Sequence, residues 1–111
     1  MHKSVRGQAK RVLVVGTVAD DAPVSPDAVL APDGMLIVME EDAARAADMR
    51  GRLSSEGLAK RTVIGGDPRR MVYKLAGPFD VIFCNPAYLS LRPILEKLLA
   101  ADGVLITNGE L

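Results

Sequence analysis

The sequence predicts an α/β fold, a Rossmann-like doubly wound parallel sheet of five strands in the order 3-2-1-4-5. Short apolar runs rich in β-branched residues alternate with segments of helical spacing along almost the whole chain. The apolar runs show no polar alternation, which is typical of strands buried on both faces of a parallel sheet. Strict alternation of strand and helix favours an open sheet with right-handed crossovers.

The strand predictions cover residues 11–15, 35–39, 61–64, 80–84 and 104–107. A short helix is predicted to open at Ser25-Pro26 and to end before a turn at 32–34. Longer helices are predicted at 43–56, with Asp42 as N-cap, at 68–75 and at 89–100. Residues 1–11 carry four basic groups and no acid, so we expect a solvated basic arm at 1–10 before a domain at 11–111.

Composition excludes several classes of protein. A length of 111 residues with 49% hydrophobic residues suits one globular domain. Fourteen basic and fourteen acidic side chains give zero net charge, which disfavours a nucleic-acid partner. The one cysteine excludes a disulfide framework and a zinc site of several thiolates. No apolar run approaches the ~20 residues that span a bilayer, so we expect no membrane partner and a cytoplasmic location.

Ligands of such sheets bind beyond the carboxyl ends of the strands. After the first strand only Gly16 remains of the G-x-G-x-x-G pattern that brings backbone amides close to a pyrophosphate. The carboxylates of Asp20 and Asp21 would repel a diphosphate by roughly 1 kcal/mol each. NAD, FAD and ATP are therefore poor candidates.

Polar residues also follow the next two strands. Glu40 follows Gly16 at close to the spacing of about 20 residues expected for an acid that accepts hydrogen bonds from ribose hydroxyls. The alternative is that Asp42 caps a helix and both glutamates are solvated. Asp67 also has two possible roles, as a helix cap or in a contact with an adenine amino group.

After the fourth strand, Asn85 offers an amide and Tyr88 a ring and a hydroxyl. Cys84 is predicted to be an inert core thiol, since the one histidine, His2, lies in the arm. Asn108, in an Asn-Gly turn signal after the last strand, is as readily structural as ligand-binding.

The stretches RVLVVGT, MLIVMEED, IGGDPRRM, GPFDVIFCN and LLAADGVLITNGEL, in this order, resemble the class I S-adenosylmethionine-dependent methyltransferases. The likeness is greatest to the small O-methyltransferases related to catechol and caffeoyl-CoA methyltransferases. It implies S-adenosylmethionine as cofactor and a small-molecule methyl acceptor. The implied cofactor-binding residues are Gly16 and Thr17 at the methionine end, Glu40 at the ribose and Asp67 at the adenine, and the implied acceptor-orienting residues are Asn85, Tyr88 and Asn108.

The chain also departs from the family pattern. In the usual E-x-G-x-G-x-G after strand one, Val14 replaces the acid and Val18 and Asp20 replace two glycines. Asn85 and Thr107 stand where metal-dependent members carry carboxylates. Because hard divalent cations prefer anionic oxygens, we expect no metal-assisted mechanism. The usual C-terminal antiparallel hairpin is also missing.

Three alternatives remain open. One is a degenerate module of the same fold that binds or dimerises without catalysis. Another is an amino-directed methyltransferase, because Asn85-Pro86-Ala87-Tyr88 resembles the N-P-P-Y motif. The third is a nicotinamide-dependent oxidoreductase, which the missing glycines disfavour. Since strand five is an apolar edge, we also expect a homo-oligomer formed through 104–107 or the helix 89–100.

Overall fold

A five-stranded sheet, parallel throughout, forms the centre of the domain, and its order β3-β2-β1-β4-β5 confirms the predicted fold class. The computed structural model describes residues 8–16, 26–53 and 60–107. Predictions that fall on 1–7, 17–25, 54–59 and 108–111 lie outside the described residues. The strands are β1 (Ala9–Val15), β2 (Leu30–Glu40), β3 (Lys60–Gly65), β4 (Phe79–Cys84) and β5 (Leu99–Thr107).

Short helices connect the strands at the predicted places. They are α1 (Pro26–Val29), α2 (Ala43–Leu53), α3 (Pro68–Met71), which continues as a 3₁₀ turn at Val72–Lys74, and α4 (Arg92–Lys97), which follows a 3₁₀ segment at Pro86–Leu91. Asp42 caps α2, as predicted, because its Oδ1 accepts a hydrogen bond from the Arg45 amide at 2.9 Å.

The apolar core lies on both faces of the sheet, which explains why the strand sequences do not alternate with polar residues. One face holds Val12 and Val14 of β1 together with Ala46 of α2. The opposite face holds Leu13 and Val15, packed with side chains from the 3₁₀ segment and α4. Within the described residues no helix has the length and apolarity needed to cross a bilayer.

The second strand begins earlier than its sequence predicts. The predicted turn at 32–34 lies inside β2, where the pairing with β1 shifts from Ala9–Leu30 to Arg11–Met35. Gly34 packs closely there, since a Cβ on it would lie 2.8 Å from the Ala9 carbonyl oxygen. The turn residues therefore form an irregularity within β2 and do not end the strand.

The helix predicted at 89–100 is wrong in extent. The chain forms the 3₁₀ segment, then six residues of α4, and Leu99 already belongs to β5, paired with Phe79. The Phe79 amide donates to the Leu98 carbonyl at 2.7 Å, which ends the helix and starts the strand. Leu98 and Leu99 pack against the second apolar cluster. Their apolar spacing, which is typical of a helix face, is therefore also compatible with the start of a buried strand.

We expect Ile82→Val to lower the free energy of unfolding by about 0.5–1.5 kcal/mol, because Ile82 is fully buried in the second cluster. Ile64→Val removes the same methyl group from a half-buried side chain on the edge strand β3 and should cost less. Urea unfolding of both variants measures the difference. Equal losses would contradict this placement of the core.

Candidate functional site

The turns that follow β1, β2 and β4 meet at the carboxyl edge of the sheet, because hydrogen bonds between neighbouring backbones continue beyond the strands. The Gly16 amide donates to the Met39 carbonyl at 2.9 Å, and the Asn85 amide donates to the Val15 carbonyl at 2.9 Å. The chain after β1 is thereby tied between the ends of β2 and β4. This is the switch point of strand order, where ligands of open α/β sheets bind.

A cavity of about 410 Å³ opens at this point. Its volume is in the range of small-molecule sites, ~300–1,000 Å³. Four predicted site residues, Gly16, Glu40, Asn85 and Tyr88, lie together on its wall. The other lining residues in the part of the chain that the structure describes are Glu41, Asp42, Arg45 and Ala87.

Glu40 is the buried carboxylate of the cavity wall, with 4% of its surface exposed. Its Oε2 accepts a hydrogen bond from the Asp42 amide at 2.9 Å. Its Oε1 is also buried, and it has no hydrogen-bond partner among the described residues. An unsatisfied buried acceptor costs about 1–3 kcal/mol or more when charged, so a ligand hydroxyl that paired with this carboxylate would remove a real penalty.

Tyr88 crosses the end of the central strand. It rises from the 3₁₀ segment after β4, and its hydroxyl donates to Glu41 Oε2 at 2.7 Å. The guanidinium of Arg69 lies over the ring, 5.0 Å from its centroid. The ring packs on Gly16 so closely that a Cβ there would lie 2.9 Å from Tyr88 Cε2. Tyr88 follows β4, and its side chain contacts residues that follow β1, β2 and β3, so it links the turns after four adjacent strands of the sheet.

The phenol of Tyr88 is a neutral donor. Its hydrogen bond to the Glu41 carboxylate raises the pKa of Tyr88 to about 12, with burial and the charge of Glu41 acting in the same direction. A phenol with this pKa keeps its proton at neutral pH. Tyr88 can therefore hold an acceptor by hydrogen bonding or packing, but it does not serve as a general base.

Asn85 acts first as a cap. Its Oδ1 accepts from the Ala87 amide at 2.9 Å and so starts the 3₁₀ segment. Because this oxygen already accepts a backbone amide, it has less acceptor capacity left for a ligand, whether the ligand offers an amino group or a hydroxyl. The Cys84 thiol is buried, and burial raises its pKa, which agrees with the predicted inert core thiol.

Of the two roles predicted for Asp67, a helix cap and an adenine contact, the structure shows the helix cap. Its Oδ1 accepts from the Arg69 amide at 3.0 Å and caps α3, with Pro68 in the first turn. Asp67 is not among the residues that line the cavity. Thr17 and Asn108 lie outside the described residues. Thr107 is the last residue of β5 and pairs with Cys84. The described ranges hold no cluster of three or more His, Cys, Asp or Glu suited to a metal ion.

Sequence reasoning missed Arg45 and the role of Glu41. A signal for Arg45 existed, because the Asp42 cap places it in the first turn of α2, at the same edge of the sheet as Glu40. No local pattern could have found the Tyr88–Glu41 contact, whose partners are 47 positions apart.

We expect Gly16→Ala to destabilise the domain. Gly16 has φ of +82°, and an added Cβ would clash with Asn85 Cβ and Tyr88 Cε2, both at 2.9 Å. Gly51→Ala is the matched control, since Gly51 lies in α2 with nothing within 4 Å of an added Cβ. It should stabilise by about 0.5–1 kcal/mol. Thermal unfolding separates the two, and equal effects would contradict the packing at Gly16.

In Tyr73→Phe, Tyr88 is the one remaining tyrosine, and we expect it to ionise near pH 12. The raised pKa means that the stability this phenol contributes is complete below its ordinary pKa of 10.0 and is lost as the pH rises through about 12. Ultraviolet absorbance titration measures the midpoint. Adding Glu41→Gln should move it down, and an unmoved midpoint would argue against the Glu41 contact.

Comparisons with protein-family models, with curated proteins and with solved structures find no match to this chain. The interpretation of the site therefore rests on its own geometry: a switch-point cavity, a buried carboxylate with one unpaired oxygen, and a tyrosine packed over the glycine turn.

Proposed function

We propose that the chain binds S-adenosylmethionine in this cavity and is a methyltransferase domain that transfers the methyl group to the oxygen of a small molecule. The observation that carries the proposal is the Glu40 carboxylate, buried at the end of β2 with Oε1 unpaired. A ribose offers two adjacent hydroxyl donors, which suit a carboxylate that has acceptor capacity to spare. Gly16 lines the same cavity, at the end of the neighbouring strand β1.

A phosphate-free nucleoside suits this cavity better than a dinucleotide. The Tyr88 ring occupies the space directly over Gly16, where a dinucleotide fold brings its pyrophosphate against the backbone. Glu41 and Asp42 add negative charge on the same wall. Both features oppose a diphosphate, and neither opposes a sulfonium cation.

Methyl transfer asks mainly for positioning. The reaction is an in-line displacement in which the acceptor oxygen forms a bond to the methyl carbon as the carbon–sulfur bond breaks. Holding the reacting atoms at ~3–3.5 Å supplies much of the acceleration. Asn85 and Tyr88 line the cavity, and the resemblance assigns to them and to Asn108 the orienting of an acceptor.

We expect Glu40→Gln to weaken S-adenosylmethionine binding about 10-fold to 100-fold, because hydrogen bonds to a charged acceptor contribute ~1.5–3 kcal/mol. Isothermal titration calorimetry measures the change. Glu96→Gln is the matched control, since Glu96 lies exposed on α4, paired with Arg92. If the folded wild-type chain shows no binding at millimolar S-adenosylmethionine, the proposed function is wrong.

Binding without transfer is the second candidate function. It is favoured because Asn85 Oδ1 and the Tyr88 hydroxyl already make hydrogen bonds within the protein. A screen of hydroxyl-bearing acceptors with methyl-labelled cofactor separates the two functions. Labelled product supports the transferase, whereas cofactor binding without product across the screen supports the binding module.

We further propose that two copies of the chain pair through β5. The two sheet edges differ: β3 carries Lys60 and Arg61, and the side chain of Arg50 donates to its Val63 carbonyl at 3.1 Å. On β5, residues 103–107 carry no charge, and Val104 and Leu105 are half-buried. Antiparallel pairing about Leu105 would join apolar residues on both faces, and zero net charge adds no long-range repulsion.

We expect the wild-type chain to sediment at high micromolar concentration with twice its 11.8 kDa mass. Thr107→Lys on β5 should shift it to the monomer, while Thr62→Lys, an exposed position on β3, should not. Concentration-dependent hydrogen exchange should locate the protection at 103–107. A wild-type monomer, or a dimer protected at 89–98 instead, would contradict pairing through β5.

A further inference from the structure

We infer that the cavity selects its adenosyl ligand by charge, and holds the cationic sulfonium donor more tightly than the neutral thioether left after methyl transfer. The inference rests on the proposed function and deepens it. Its basis is a run of three carboxylates on the cavity wall, of which Glu40 is buried and incompletely hydrogen bonded.

None of the three carboxylates accepts a hydrogen bond from a cationic group among the described residues. Glu40 accepts from the Asp42 amide, Glu41 from the Tyr88 hydroxyl and Asp42 from the Arg45 amide, so every donor is neutral. None of the three forms an ion pair among the described residues. Arg45 is the basic residue on the described wall of the cavity. The formal charges of these four side chains leave the wall with an excess of two negative charges.

The donor and the thioether product isolate this effect. They share the adenosine and the amino-acid portion, and they differ by one methyl group and one positive charge on sulfur. Two uncompensated carboxylates within roughly 7 Å of that sulfur would favour the cation about fivefold to tenfold in a solvent-like dielectric. When the methyl carbon leaves, the electron pair of the broken bond stays on sulfur and the acceptor releases its proton to solvent, so the ligand loses its charge. The spent cofactor is then the weaker ligand.

The first test compares S-adenosylmethionine with S-adenosylhomocysteine on the wild-type chain by calorimetry. At 10 mM ionic strength we expect the dissociation constant of the thioether to be about fivefold to tenfold higher. At 1 M, where the screening length is ~3 Å, the ratio should approach one. A low-salt ratio of one or less overturns the inference, as does tighter binding of adenosine 5′-diphosphate than of S-adenosylmethionine.

The second test removes single charges and keeps the local hydrogen bonds. Glu41→Gln retains an acceptor for the Tyr88 hydroxyl, and Asp42→Asn retains a good N-cap for α2. Each should lower the ratio by about twofold to threefold by weakening the sulfonium ligand alone. Glu96→Gln should leave the ratio unchanged. Equal weakening of both ligands would mean that these side chains shape the cavity without sensing charge, which overturns the inference.

The outcomes separate this inference from the proposed function. If the folded chain binds neither ligand, the proposed function fails and the inference fails with it. If it binds both with equal affinity at low salt, the adenosyl site stands and only the charge selectivity is wrong.

Discussion

The pairing of β1 with both of its neighbours is the constraint on which the site depends. β1 pairs with β2 on one side and with β4 on the other, and Val12 through Val15 are buried between the two apolar clusters. Val12 and Val14 belong to one cluster and Leu13 and Val15 to the other, so a one-residue slip would exchange the side chains that fill the two clusters. The same ladder continues through the amides of Gly16 and Asn85. Core packing thus fixes where the cavity walls stand.

The Tyr88 ring limits the space over the turn at Gly16. A buried phenol needs a hydrogen-bond partner, and Glu41 supplies one from across the sheet. The ring consequently lies over Gly16, at the place where dinucleotide folds keep the backbone open. The proposed preference for a nucleoside without a diphosphate rests on this packing as much as on the charge of the wall.

The sheet was predictable from sequence because runs such as 11–15 and 80–84 are apolar on both faces, a pattern that short buried strands share. The first residues of β2 and β5 were not predictable in this way. Irregularities in the strand pairing keep polar or small residues such as Asp33 and Gly103 within these strands. The rule that ligands bind beyond the strand ends singled out Gly16, Glu40 and Asn85, and these three residues line one cavity. The rule could not find the Tyr88–Glu41 bond, which depends on how far one side chain reaches across two neighbouring strands.

The bond between Tyr88 and Glu41 has a consequence for how the domain responds to ligands. The cavity wall combines positions from 16 to 88, so it exists only when β1, β2 and β4 are assembled together. No single segment of the chain forms this wall on its own. A molecule that occupies this cavity must therefore raise the melting temperature of the whole domain, by an amount set by its concentration and affinity. A thermal-shift screen of nucleosides would report binding without any assumption about chemistry.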